Sequence, residues 1–409
     1  MIVTAPLQSP PAGSHAVPVV GSRAEALERA RALAERIRAR AARAEADRRV
    51  PDETIRELLE NGLFGLVLPK VFGGSELGFA SLVEVTAEIA TVCGSTAWVL
   101  GVLAGHSWML NLFPPEAQRE LFDDPAALTA TVFRMSGKAT RVAGGYRLCS
   151  GEGRFCSGID HASWVIVGGA VTAEGAVPES RFFLVPRQHI EIIDDWYTAG
   201  MRGTGSRSIR IADAFVPEHR TVSLRQMLDG TAPGARFHDR ALYRIPFSNV
   251  APFSIIGAPL GMARGAIKVF AESLAQKARS SEAMLVEPAA MLARVAEAAA
   301  QVDSAFALVL ADASAIDALS RADSLSALDA ARLPRNWAYA AQTARYAVTR
   351  IFEFAGGSGI YDTSELQRIW RDVNSAAQHY AFIWDAAMTN FGRALMGLTP
   401  QKTFGIRGS

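Results

Sequence analysis

The chain has few cysteines, almost no net charge and no long uninterrupted hydrophobic run. Its three cysteines, Cys93, Cys149 and Cys156, are an odd number in separate contexts, which supports neither a disulfide framework nor a zinc site. Lys+Arg 42 against Asp+Glu 41 leaves a formal charge of +1, so neither nucleic acid nor an anionic membrane is expected as a partner. Each long apolar stretch is interrupted before the roughly 20 residues that a bilayer span needs. These absences predict reduced thiols, no membrane span and a cytoplasmic location.

Three regions that differ in hydrophobic periodicity follow an N-terminal segment without a helix or strand pattern. Residues 1–22 are rich in Pro, Ser, Gly and Ala, with no basic start followed by an apolar core, and are predicted to be a flexible arm. Residues 23–128 have helical periodicity, and residues 129–235 form short β-rich runs separated by glycine and proline. Residues 236–409 return to long alanine-rich helices with short connections. The prediction is a mainly α protein with a central β domain.

Two glycine-containing motifs lie in the β region. The first runs from Gly144 to Gly151 and continues from Phe155 to Trp164, and the second, GMRGTGS, runs from Gly200 to Ser206. Glycines beside hydroxyl side chains leave backbone amides open for a carbonyl edge or a phosphate. A tight turn between strands is the alternative interpretation of the second motif.

A third motif begins with the glycine turn at Gly356 and reaches His379. We predict one helix from Val373 to Met396, with Asp372 and His379 along one edge of its apolar stripe. A histidine there can line a cavity wall, or it can be packed and hydrogen-bonded to a carbonyl.

Together the region order and the three motifs resemble the acyl-CoA dehydrogenase fold, and within it the oxygenase components of two-component aromatic hydroxylases. The resemblance covers nearly the whole chain. It implies an N-terminal helical domain, a small antiparallel β barrel or sandwich, a C-terminal four-helix bundle and a homotetramer. It also implies reduced FMN or FAD as cofactor, O2 as co-substrate and hydroxylation of a small aromatic substrate (phenolic, polyketide, steroid or indole) through a flavin C4a-hydroperoxide.

The resemblance also implies roles for individual residues. His379 and Ser157 are the expected catalytic residues, with His379 holding the hydroperoxide and the Ser157 hydroxyl near flavin N5. Further flavin contacts are expected from Phe155, Thr204, Gly205, Ser206 and Arg371. Substrate contacts are expected from His106, Trp108, Phe133 and Trp384. Each apolar member of these sets has an ordinary core interpretation.

Two absences favour this reaction type. No carboxylate stands near His379, where many acyl-CoA dehydrogenases keep their base, although Glu353 lies in the preceding helix. No G-x-G-x-x-G opens a helix after a strand, so a separate NAD(P)H:flavin reductase is expected to supply the reduced flavin, by contact or by diffusion of flavin alone. No His or Cys pair has metal-ligand spacing, and no metal site is expected. The alternatives are an acyl-CoA dehydrogenase with bound FAD and a non-catalytic scaffold of the same fold.

Overall fold

The computed structural model describes residues 17–172, 178–279, 289–320, 322–399 and 401. Most of the predicted arm, residues 1–16, lies outside this range. Residues 17–22 pack against the first helical region, where Val20 is buried and its amide donates to Ser75 Oγ at 2.8 Å.

Five helices form the N-terminal region. They are α1 (Arg23–Asp47), α2 (Asp52–Glu60), α3 (Phe79–Ala90), α4 (Gly94–Leu110) and α5 (Pro115–Phe122). Ser22 begins α1 by accepting a hydrogen bond from the Glu25 amide, which satisfies one of the free amides at the helix start. Helix α4 is buried on nearly every side, because it is apolar all round and lies between the other elements.

The central region is one eight-stranded sheet. Its strands are β1 (Thr129–Val132), β2 (Lys138–Val142), β3 (Gly145–Cys156), β4 (Trp164–Val171), β5 (Glu179–Pro186), β6 (Glu191–Ile193), β7 (Arg207–Pro217) and β8 (Thr221–Ser223). The order is β6-β7-β3-β2-β4-β5-β8, and β1 pairs with β4. The predicted all-antiparallel pairing is wrong in two places, since β4 runs parallel to both β1 and β2. The hairpin of β2 and β3 lies between β1 and β4 in the chain, which lets β4 return in the direction of β1.

Helices return after the sheet. They are α6 (Leu224–Leu228), α7 (Phe253–Arg279), α8 (Ala289–Asp317), α9 (Ala327–Phe352), α10 (Glu365–Ala376) and α11 (Trp384–Leu395). Helix α7 lies very close to α3, because a Cβ atom at Gly261 would stand only 2.0 Å from the Ala87 carbonyl oxygen. The mainly α fold with a central β domain is therefore confirmed.

The predicted single helix from Val373 to Met396 is wrong. Helix α10 ends at Ala376, and His379 caps a short 3-10 turn, Tyr380–Phe382, before α11 begins. The His379 imidazole accepts a hydrogen bond from the Ala381 amide, a local bond that competes with helix continuation. Asp372 and His379 therefore do not share one helix face.

Among the residues that the structure describes, two helical segments are long and apolar enough to cross a bilayer by length and composition alone. These are Phe247–Ala275 and Met291–Asp317, and 78% of the apolar 18-residue window in the first and 33% of that in the second is buried within the protein. The sequence interpretation missed both. Core helices of globular proteins pass the same test, and α7 packs between α3, α4 and α9.

Candidate active site

A cavity of about 1150 Å³ lies where α4, the sheet and the end of α10 meet. Its volume exceeds the range of roughly 300–1,000 Å³ that is common for a single small ligand. Residues 98, 102 and 106 of α4 line one wall: Trp98, Val102 and His106. They are spaced by four, so they share one helix face.

Three hydroxyl groups form a directed chain on the sheet side of the cavity. Thr204 Oγ1 donates to the Met201 carbonyl at 2.8 Å, so its contact with Ser206 Oγ at 2.6 Å makes Ser206 the donor. Ser206 has then used its only proton, and Ser157 must donate across the 2.7 Å contact between the two serine Oγ atoms. Ser157 Oγ also accepts from Trp98 Nε1 at 3.3 Å. What Ser157 keeps for a ligand is an acceptor lone pair.

His379 lines the cavity beside Trp98, with ring centroids 5.5 Å apart. Its Nδ1 accepts from the Ala381 amide at 3.3 Å, so in the neutral ring the proton is on Nε2. Burial lowers the pKa of His379 to about 4, and the ring is therefore neutral at pH 7. His379 offers a neutral N–H donor.

His106 lines the same cavity with the opposite tautomer. Its Nδ1 lies 2.8 Å from the Thr129 carbonyl oxygen, which can only accept, so Nδ1 carries the proton and Nε2 has the lone pair. Burial lowers its pKa to about 4 as well. Residues 98 and 106 are about 12 Å apart along the α4 axis, two turns of helix. His106 and His379 therefore present an acceptor and a donor to the same cavity, and Trp98 also lies on its wall.

The Arg371-Asp372 pair fixes the loop that carries Met201. Asp372 accepts from the Met201 amide at 2.6 Å, and burial raises the pKa of Asp372 to about 6. Arg371 donates to the Ala199 carbonyl at 2.8 Å and pairs with Glu45 at 2.5 Å. A Cβ atom at Gly200 would lie 2.3 Å from the Arg371 carbonyl, so only glycine fits there. The pair therefore fixes the position of Met201, whose carbonyl accepts the hydrogen bond from Thr204 at the end of the hydroxyl chain.

The mouth of the cavity is built differently. Phe155 is 70% exposed and has a φ of 65°, in the left-handed region that few non-glycine residues adopt. The pairing of β3 with β7 shifts register between Gly153 and Cys156, a bulge that turns Phe155 towards the cavity. Its ring meets Trp196 edge-on at 6.0 Å. Arg134 and Arg154 also line this end.

The structure brings together most of the residues that the sequence singled out. Those on the cavity wall are His106, Phe133, Phe155, Ser157, Thr204, Ser206 and His379. Four others do not line it. Trp108 is buried between Phe79 and Phe247, Trp384 is 41% exposed, Arg371 belongs to the loop clamp, and Gly205 has a φ of 51° in the turn beside Thr204.

Sequence reasoning missed several wall residues, chiefly Trp98, Thr131, Trp196, Met201 and Tyr380. The spacing of Trp98, Val102 and His106 was a signal that could have found the first. Thr131 Oγ1 is buried and has no hydrogen-bond partner among the residues described, so it is free to contact a ligand.

Carboxylates are confined to the mouth of the cavity. Among the described residues the only acidic side chains on its wall are Glu152 and Asp195. Glu353, the carboxylate candidate from the sequence, is exposed and does not line it. Within the described ranges no group of three or more His, Cys, Asp or Glu could hold a metal ion.

Comparison with known proteins matches both helical regions to one family. The acyl-CoA dehydrogenase N-terminal domain matches residues 23–127, and the acyl-CoA dehydrogenase C-terminal domain matches residues 254–384.

Individual relatives cover nearly the whole chain. The flavin-dependent monooxygenase oxygenase subunit HsaA of Mycobacterium tuberculosis is 36% identical over 90% of this chain and 94% of its own length. Its crystal structure superposes with a TM-score of 0.88, covering 93% of this chain and 99% of that one. The oxygenase component of an FADH2-dependent resorcinol hydroxylase from a Rhizobium species is 33% identical over 90% of this chain and 93% of its own length. XiaF from a Streptomyces species, solved with FADH2 and glycerol, is 28% identical, covers 92% of this chain and 96% of that one, and has a TM-score of 0.82.

Proposed function

The chain belongs to the oxygenase components of flavin-dependent monooxygenases, and from that membership we propose that it hydroxylates a phenolic ring. The predicted family is thereby confirmed. The reaction consumes the aromatic C–H compound, O2 and a reduced flavin, and it gives the hydroxylated ring, water and oxidised flavin. Bound reduced flavin supplies the two electrons that split O2, one oxygen atom going to the ring and the other leaving as water.

The residues present fit a flavin. The cavity has room for a flat tricyclic ring beside a second aromatic molecule, and its walls combine apolar side chains with a few aimed polar atoms. Ser157, Ser206 and Thr204 would hold the polar edge of the ring system. Phe155 and Trp196 offer aromatic surface at the open end. The Thr131 hydroxyl, which has no hydrogen-bond partner among the residues described, would give one further contact to the flavin.

The direction of the hydroxyl chain favours the reduced form of the cofactor. Ser157 presents an acceptor to the cavity, because its proton is given to Ser206. A reduced flavin ring has an N–H at N5, whereas the oxidised ring has a lone pair there. At N5, the position that the family resemblance implies for Ser157, an acceptor matches the reduced ring and repels the oxidised one.

The two histidines carry the assignment of a phenolic substrate. His106 Nε2 is an acceptor that can take the hydroxyl proton of a phenol into a hydrogen bond, which raises the electron density of the ring. His379 Nε2–H is a donor for an oxygen atom that gains negative charge during the transfer. The sequence analysis expected His379 to hold the hydroperoxide and His106 to contact the substrate, and the two tautomers suit these separate tasks.

An acyl-CoA dehydrogenase fits the cavity less well. That reaction needs a base for a carbon-bound proton, and the described part of the inner cavity offers only neutral histidines. A non-catalytic scaffold is not favoured either, because Ser157, His106 and His379 line one cavity.

The test is incorporation of labelled oxygen. The purified chain is incubated with a separate flavin reductase, NADH, FMN or FAD and 18O2, and with phenols and their O-methyl ethers. We expect one 18O atom in the product of at least one phenol and none in the matched ether, which cannot donate to His106. No label in any aromatic product, with reduced flavin delivered, would refute the proposal.

Three further properties follow from the sequence prediction. We expect a separate reductase, reached by diffusion of flavin or by contact, and a cytoplasmic location. We also expect a homotetramer. Exposed apolar side chains near the C-terminal end are available for contact between copies: Ile360, Tyr361, Leu395 and Met396. Light scattering of the purified chain tests the assembly.

A further inference from the structure

Two arginines stand opposite one another at the cavity mouth. Met135 pairs with Gly153 in an antiparallel bridge, and the Ser136 amide donates to the Glu152 carbonyl at 2.8 Å. The same register sets Arg134 against Arg154. Both are exposed and both line the cavity. Like charges directly across two strands repel one another, so this pair costs stability in the absence of a counter-ion.

The neighbouring carboxylates have hydrogen-bond partners elsewhere, although Arg154 lies close enough to Asp195 to attract its carboxylate. Glu152 is bound to Arg210 at 2.7 Å, and Asp195 accepts from both the amide and the hydroxyl of Ser208. Within the described part of the chain neither Arg134 nor Arg154 forms an ion pair or a side-chain hydrogen bond. Most arginines of this sheet behave differently, as Arg147 does with Asp213 and Arg181 with Glu179.

The position of the pair limits what it can bind. It lies on the same wall as Phe155, at the open end of the cavity, and the inner end holds the uncharged groups that suit an aromatic ring. A flavin nucleotide has this polarity, with a flat apolar ring at one end and a phosphate at the other. Guanidinium groups match phosphate oxygens in shape and charge.

We propose that Arg134 and Arg154 form the phosphate subsite for the flavin, with the ring system directed inwards past Phe155. The inference rests on the proposed function, since it takes a reduced flavin as the ligand. It adds a residue-level reason for binding a flavin nucleotide in preference to the free flavin.

The experiment compares reduced FMN with reduced riboflavin, which has the same ring and no phosphate. Dissociation constants are measured anaerobically for the unaltered chain, Arg134→Gln, Arg154→Gln and the double variant. We expect each substitution to weaken FMN binding about tenfold, the usual effect of a hydrogen bond to a charged group, and to leave riboflavin binding unchanged. Added salt should weaken binding of FMN and not of riboflavin.

Arg147→Gln is the matched control, because it removes the same charge from the same strand away from the cavity. It should not change the FMN-to-riboflavin ratio. An unchanged ratio in the double variant overturns the phosphate subsite while leaving the proposed function intact. So does a variant that loses affinity only for a phenol bearing a carboxylate, which would make the arginines a substrate site. Failure of the unaltered chain to bind either reduced flavin overturns both proposals.

Discussion

The inner end and the mouth of the cavity use opposite physical environments. At the inner end His106 and His379 are kept neutral by burial, which lowers the pKa of each to about 4. At the mouth the Arg134 and Arg154 side chains are exposed to solvent, and Phe155 is 70% exposed. The inner end is built from α4 and the segment after α10, whereas the mouth is built from β3 and its neighbouring loops.

The difference assigns the reaction to the inner end of the cavity and the binding of the charged part of the ligand to the mouth. At the inner end protein groups surround the two imidazoles, and hydrogen bonds there can select a tautomer and orient a reacting atom. Charges at the wet mouth attract an anion from solution but do not fix its geometry closely. Changes at the inner end should therefore alter what is made, and changes at the mouth should alter what is bound.

The largest effect is expected from His379→Ala. Loss of the Nε2–H donor should lower the yield of hydroxylated product per reduced flavin by about 10²-fold, with hydrogen peroxide released in its place. Reduced-flavin affinity should stay within a factor of about two, because His379 is assigned to the reacting oxygen. Product and peroxide are measured together in single-turnover reactions.

His219→Ala is the control for that variant, since His219 forms only a surface pair with Glu120. Full coupling of product formation to flavin oxidation in His379→Ala would contradict the role assigned to His379. The inner end would then have no function in the reaction that distinguishes it from the mouth.

An intermediate effect is expected from Ser206→Ala, at the boundary between the two ends. Without Ser206 as acceptor, the Ser157 hydroxyl is free to donate to the cavity, so oxidised flavin should gain affinity relative to reduced flavin. One neutral hydrogen bond of about 1 kcal/mol corresponds to a shift of about fivefold in the ratio of the two dissociation constants. Titration with oxidised and reduced FMN measures it.

Ser136→Ala provides the comparison, because Ser136 lines the mouth and its hydroxyl contacts only the Glu152 backbone. If both variants have the same ratio as the unaltered chain, the direction of the hydroxyl chain does not control the redox preference.

The smallest effect is expected at the mouth, from Phe155→Gly. Glycine adopts the φ of 65° without strain, which offsets the entropy that glycine adds to the unfolded chain. The free energy of unfolding should therefore change by less than about 1 kcal/mol, while reduced-flavin affinity falls about fivefold from the lost ring. Denaturant unfolding and flavin titration give the two values.

Phe215→Gly tests the same exchange in ordinary strand backbone. Phe215 is 53% exposed in β7, and glycine there should lower the free energy of unfolding by about 1 kcal/mol. Equal destabilisation by the two substitutions would show that the Phe155 backbone stores no strain.

Prediction from sequence succeeded where the signal was short-range. The change of period at residue 129 separated the helices from the strands, and the motif around Ser157 pointed to a wall of the cavity. It failed for Trp384, because the helix predicted from Val373 to Met396 is interrupted before that residue. The local bond between His379 and the Ala381 amide ends that periodicity, and spacing alone does not reveal it.

By itself the sequence determined the order of helical, β and helical regions. It also determined which hydroxyl, histidine and glycine residues the motifs contain, and that no carboxylate stands near His379 in the chain. Only the tertiary structure decided which way each hydrogen bond points and which charges face one another. Ser157 meets Ser206 across 49 residues, and Met201 meets Asp372 across 171. Periodicity reports the face of one element, whereas a tautomer or a cross-strand register depends on a partner that folding brings from elsewhere in the chain.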